Sequence, residues 1–239
     1  MTKEHSTLLA AAIVAIGIAT AGCALRSGII AFKTLDREVT AKGLAEKEVV
    51  ADKATWPLRF KLLSNDPTEL YNRIEAATKT IVAFLRQGGI AESEISVAAP
   101  TIVDQQANMS YSTEEVRYRY KANCTVTVVT RDVERVRTLV GRQAELMRQG
   151  IAIVGNEYEE GNAVTYEFTA LNDIKPEMIS SALQAARTTA ERFAADSNSR
   201  LGKIRTAQQG QFSIETRDQT TPWLKQVRVV STVVFYLDD

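Results

Sequence analysis

Hydrophobic and polar positions follow three rhythms along this chain. Residues 8–25 run for 18 positions without a charge. Residues 53–62 alternate: Ala54, Trp56, Leu58, Phe60 and Leu62 are interleaved with Lys53, Thr55, Pro57, Arg59 and Lys61. Period two predicts a strand with one buried and one wet face. Leu70, Ile74, Ala77, Ile81, Val82 and Leu85 then recur at helical spacing. Residues 36–62 therefore mark the passage from an apolar segment to a folded body.

Residues 38–63 read as two strands with a turn or bulge near 48–52. Pro57 lacks a ladder donor, which predicts an edge or bulged strand. Asp66-Pro67-Thr68-Glu69 is a helix start, with Asp66 at the N-cap, Pro67 at the first position and Glu69 closing a capping box. Gly88-Gly89 supplies its stop. Strands are expected at 94–103 and 115–130, the latter with an inward row of Val116, Tyr118, Tyr120, Ala122, Cys124, Val126 and Val128. Asp132 caps a helix over 133–149, stopped by Gly150. Strands at 151–158 and 163–171 meet around Gly161-Asn162, a hairpin signal. Pro176 opens a third helix to about residue 200, with Ile179, Leu183, Ala186, Ala190, Phe193 and Ser197 on one face. Gly202 ends it, and strands at 203–216 and 224–237 follow.

The order is ββαββ, a bridging helix, then ββαββ, which suggests internal duplication. Long helices on mostly antiparallel sheet make the expected class α+β. Strand parity places Trp56, Phe60, Tyr118, Cys124, Phe168 and Phe235 in the core, and leaves Arg59, Arg119 and Lys121 outside it.

Composition changes this picture in two ways. Lys plus Arg and Asp plus Glu both number 29, so the net charge is zero, which removes the electrostatic case for a nucleic-acid partner. The apolar run is apolar on all sides, unlike a core helix. As a helix it would be about 27 Å long, against a bilayer core of roughly 30 Å. Arg26 ends it. Three readings stand: an uncleaved signal anchor, a signal peptide cut after Ala19-Thr20-Ala21, or a lipoprotein box ending at Cys23. Residues 1–35 are thus an export segment or anchor, and 36–239 an exported domain.

Catalytic chemistry finds little material. The single histidine, His5, precedes the apolar run, and the two cysteines, Cys23 and Cys124, stand far apart. No metal cluster, nucleophile elbow or phosphate loop occurs. Cys124 falls on the inward row as a small buried hydrophobe. Arg117-Tyr118-Arg119-Tyr120-Lys121 interleaves cations and aromatics, but the tyrosines continue the apolar row, so core packing explains them better than an RNA platform. Glu159-Glu160 solvates a turn. No catalytic, cofactor-binding or metal residue is assigned, and no cofactor is expected.

Several segments together resemble the bacterial SIMPL domain family. They are Val39-Thr40-Ala41-Lys42-Gly43-Leu44-Ala45-Glu46-Lys47-Glu48-Val49, Ala51-Asp52-Lys53-Ala54-Thr55-Trp56-Pro57, Glu94-Ile95-Ser96-Val97, Gln149-Gly150-Ile151-Ala152, Tyr166-Glu167-Phe168-Thr169 leading to Leu171-Asn172, Lys175-Pro176, Leu201-Gly202-Lys203-Ile204 and Gln209-Gly210-Gln211-Phe212-Ser213-Ile214. The resemblance spans 36–239. It implies an exported bacterial α+β protein, periplasmic or anchored in the inner membrane, sometimes a large ring-like oligomer. It also implies a part in oxidative or envelope stress tolerance, with no established enzymatic mechanism. The expectation is a non-catalytic, self-assembling envelope protein: a homo-oligomer, held to the membrane by its N-terminal segment, with no nucleic-acid partner. The alternative is a hydrolase or small-ligand-binding protein whose site has no linear motif.

Overall fold

Every second residue of β2 (Lys53–Ser64) is buried as far as Phe60; Ala54, Trp56, Leu58 and Phe60 are each at most 1 % exposed. The antiparallel β5 (Tyr120–Thr130) answers on the same face, with Trp56 opposite Val128, Leu58 opposite Val126 and Phe60 opposite Cys124. In this computed structural model residues 3–34, 37–107, 117–153 and 164–238 are described, and in the first helix side chains are described for 13–28. The fold is α+β with antiparallel pairing.

The chain divides into two compact units. The first comprises Met1–Lys47, Ile174–Ser213 and Arg228–Asp239; the second comprises Glu48–Asp173 and Ile214–Val227.

In the second unit β2 and β5 lie beside β3 (Ile95–Val97), β4 (Thr101–Asp104) and β6 (Thr165–Glu167). Helix α2 (Pro67–Gln87) covers their apolar face with Leu70, Ile74, Ala77, Ile81, Phe84 and Leu85. The Asp66 carboxylate caps it, accepting from the amides of Thr68 at 2.6 Å and Glu69 at 3.0 Å. Glu69 does not close the box directly. It accepts from the Ser64 hydroxyl, which in turn accepts from the Asp66 amide. Gly89 has φ +87° and takes the left-handed position, while the Ile90 amide returns to the Leu85 carbonyl. Gly88 is needed for space, since a Cβ there would lie 2.3 Å from Leu139 Cδ2.

The expected strand over 94–103 is divided into β3 and β4. Val97 faces Val126, but Thr101 faces Asn123, so one extra residue is accommodated ahead of Pro100, which has no amide to donate. The helix expected over 133–149 is likewise two pieces, α3 (Val133–Gly141) and α4 (Ala144–Arg148). Past Gly141, a weak helix former, the Gln143 amide bonds Val140 O in the tighter three-residue pattern, and Leu146 is brought into the core. β5 begins at Tyr120 rather than near 115. Val116 and the Gly161-Asn162 hairpin tip lie outside the described residues, as does Glu159-Glu160. Of the expected hairpin, Ile153 forms a single bridge to Phe60 and β6 pairs with Lys53–Thr55.

Two core assignments are corrected. Tyr118 precedes β5 and is half-buried, and Phe168 is half-buried because β6 ends at Glu167; Tyr166 is the buried aromatic of that strand. Arg119 is exposed, while Arg59 and Lys121 are intermediate. β2 stands between β5 and β6, but β6 pairs with it only over Lys53–Thr55, so Pro57 lies beyond that pairing with β5 as its ladder partner, an edge locally. Its register with β5 is continuous through Pro57, so no bulge forms.

The first unit packs small against small. β1 (Glu38–Val50) buries Ala41, Gly43 and Ala45, and α5 (Leu171–Asp196) buries Met178, Ala182, Ala186, Ala190 and Ala194. A Cβ on Gly43 would sit 1.8 Å from the Ala182 carbonyl oxygen. The alanine ridge is therefore chosen for closeness, and it differs from the expected face: Phe193 is 54 % exposed. α5 also starts before Pro176, which lies inside it. β9 (Leu224–Asp238) stands between β1 and β7 (Arg200–Gln209), and β8 (Ser213–Thr216) also pairs with it. The expected strand over 203–216 breaks at Gly210, where a Cβ would meet Val230 O at 2.3 Å. Val233 and Phe235 complete this core.

Helix α1 (Lys3–Thr34) carries the apolar run. All side chains described in it are exposed, with Ile13, Val14, Ile16, Ile18 and Leu25 at 60–70 %. Among the described residues no helix is long and apolar enough to cross a membrane.

Candidate functional site

Two clefts of the second unit are lined by described residues. One, of about 280 Å³, is lined by Phe60, Leu62, Arg73, Tyr118, Ile151 and their neighbours. Its Arg73 guanidinium is held by the Leu63 carbonyl at 3.0 Å, so that charge is engaged.

The other cleft, of about 360 Å³, is lined by Tyr166, Glu167, Phe168, Thr169, Ile214 and Lys225. The turn between β1 and β2 positions one wall. The Asp52 amide donates to Glu167 O at 3.0 Å. The Asp52 carboxylate accepts from the Thr169 amide at 2.7 Å, the Thr169 hydroxyl at 2.9 Å and the Ala170 amide at 2.8 Å. Burial raises this carboxyl, but those hydrogen bonds together outweigh it and hold it below the usual carboxylate range. They also anchor the residues just before α5, which lets the helix begin ahead of Pro176.

The opposite wall comes from β8 and the start of β9. Their connection is fixed by Asp218, whose carboxylate accepts from Thr220, Thr221 and Arg217 and is held far below its ordinary range by those bonds. Arg217 also reaches Glu48 at 3.1 Å. Trp223 packs against the Arg137 guanidinium, 3.8 Å from its ring centre, and makes a T-shaped contact with the Tyr166 ring, centres 6.3 Å apart. Its carbonyl accepts from the Ala51 amide at 2.8 Å.

Lys225 is 8 % exposed. Its ammonium donates to Thr216 Oγ1 at 2.8 Å. Burial pushes it below the usual lysine range, opposed by the Glu167 carboxylate. Glu167 itself accepts from Lys53 Nζ at 2.7 Å. Burial also pushes the Tyr166 phenol up.

Sequence reading assigned no site residue and passed over Lys225. The signal was present: Lys225 is in phase with Val227, Val229, Ser231, Val233 and Phe235, the buried row of β9. A charge opening an otherwise largely apolar row is the observation that finds it.

Elsewhere the chemistry is occupied. Arg119 donates twice to Asp104, at 2.9 and 3.0 Å, which holds that carboxyl below its ordinary range. Arg117 and Arg119 also lie over the rings of Tyr118 and Tyr120 at 5.6 and 5.1 Å. Cys124 is a free buried thiol raised by burial, and Cys23 is free and exposed. Among the described residues no group of three or more His, Cys, Asp or Glu could hold a metal ion.

Comparison with known proteins gives one family: the model named SIMPL, described as a protein of unknown function (DUF541), matches residues 39–234. No curated protein matches the chain.

Proposed function

The chain belongs to the SIMPL family, and from that premise we propose a non-catalytic envelope protein whose α1 sits in the bacterial inner membrane while its α+β body faces the periplasm, assembles with copies of itself and contributes to oxidative or envelope stress tolerance. The observation that carries this reading is α1. Five large aliphatic side chains at 60–70 % exposure are unfavourable in water by roughly 1.5–3 kcal/mol for each that full burial would cover, and lipid removes that cost. The described side chains, 13–28, cover about 24 Å at 1.5 Å per residue. The uncharged run begins earlier, at Leu8, which brings its length close to a bilayer core of roughly 30 Å.

Assembly is supported by strand edges. β1 and β7 are the outer strands of their sheet, and β7 is exposed along nearly its whole length, with Ile204 at 44 %. An uncovered edge is a template for another chain, zero net charge adds no repulsion, and closed symmetric assembly is the common solution.

The test has two parts. Added protease should digest the body once the outer layer is permeabilised, with the inner membrane still closed; digestion only after the inner membrane opens would refute the topology. Light scattering of the detergent-extracted full chain should give a mass of several copies, and a monomeric mass at every dilution would refute assembly.

A further inference from the structure

A buried ammonium is costly unless paired. Lys225 is 92 % removed from solvent by its 8 % exposure, yet among the described residues its hydrogen-bond partner is one neutral hydroxyl, that of Thr216. Glu167 lines the same cleft but is bonded to Lys53 and acts on Lys225 through space. The cleft therefore holds a fixed positive charge whose donors are incompletely used, beside an apolar wall of Phe168 and Ile214 and the ring of Tyr166.

We infer that this cleft is a binding site for a small organic monocarboxylate with a compact apolar or aromatic body, its carboxylate on Lys225 Nζ and its body against Phe168 and Ile214. Three observations select this class. The volume of about 360 Å³ lies near the lower end of small-molecule sites, roughly 300–1,000 Å³. One unmatched cation balances one negative charge, and the Glu167 carboxylate on the same wall repels a dianion such as phosphate. Phe168, Ile214 and the ring of Tyr166 give the cleft an apolar side beside the lysine, so a body that can leave water is preferred. The inference is independent of how the chain is anchored or assembled.

The experiment uses the full chain in detergent, titrated calorimetrically with sodium benzoate, the neutral isostere benzyl alcohol, and inorganic phosphate. Benzoate binds saturably and at least about tenfold more tightly than benzyl alcohol, the factor one charge-assisted hydrogen bond supplies. Lys225→Met keeps the buried stem and removes the charge, so it remains folded by circular dichroism and loses benzoate affinity by the same factor. Phe168→Ala weakens benzoate more than acetate, which has no ring to place. No saturable benzoate binding to the wild type, equal affinity in folded Lys225→Met, or phosphate binding more tightly than benzoate would each overturn the inference. Should Lys225→Met fail to fold, Thr216→Val leaves the charge and removes its protein partner; benzoate affinity then rises or holds, and its loss overturns the inference.

Discussion

The two units solve core packing in opposite ways. The second is filled by volume: Trp56, Phe60, Leu70, Ile81, Leu85 and Leu139 are large side chains at most 1 % exposed. The first is closed by proximity. Gly43 on β1 meets the backbone of α5 directly, and Ala41, Ala186 and Ala190 add only methyl groups to this core. A core filled by volume is damaged by subtraction, because a cavity remains. A core closed by proximity is damaged by addition, because backbone cannot step aside. Each unit thus has its own characteristic lesion.

The sharpest break is in the second unit. Phe60→Ala should lose about 3–5 kcal/mol, read as a lowered melting temperature and faster amide exchange in β2 and β5. Gly43→Ala adds one methyl group to the first unit and should lose about 1–3 kcal/mol, with exchange accelerated in β1 and α5 while β2 stays protected. If both substitutions speed exchange equally in both units, the contrast between the cores is wrong. Asp66→Ala removes the α2 cap and should lose about 0.5–2 kcal/mol, confined to exchange at Thr68 and Glu69 and the following turn.

The smallest effect is in pH. The Asp52 carboxyl lies below its ordinary 3.8 in the folded chain. Its contribution is therefore complete above 3.8 and is lost as pH falls through the lower folded value. Protection of the Thr169 and Ala170 amides should weaken over that acid window, and Asp52→Asn should remove the pH dependence.

Legibility in the sequence followed the same division. β2 and β5 were readable because large residues alternate with polar ones, and Trp56, Phe60 and Cys124 lie where parity puts them. The α2 start was readable because Asp66 and Pro67 act through adjacent atoms. The face of α5 was not, since alanine ranks as weakly hydrophobic and the deciding partner, Gly43, is distant in sequence. Tyr118 and Phe168 were placed too deep because parity says nothing of where a strand ends. The burial of Lys225 went unread because a charge within a strand is ordinarily assigned to the wet face, and only the row from Val227 to Phe235 shows that it is not.

The chain passes between the units four times, after Lys47, Asp173, Ser213 and Val227, so neither unit is a continuous segment. During synthesis β2, α2 and β5 leave the ribosome together, and most of the second core can collapse early. The first core cannot close then, for β1 must wait for α5 and β9, and closing so long a loop is slow. A nascent chain whose β1 hangs unpaired directly behind α1 exposes a bare strand edge throughout that interval. The strand made first in the body is thus among the last to be satisfied.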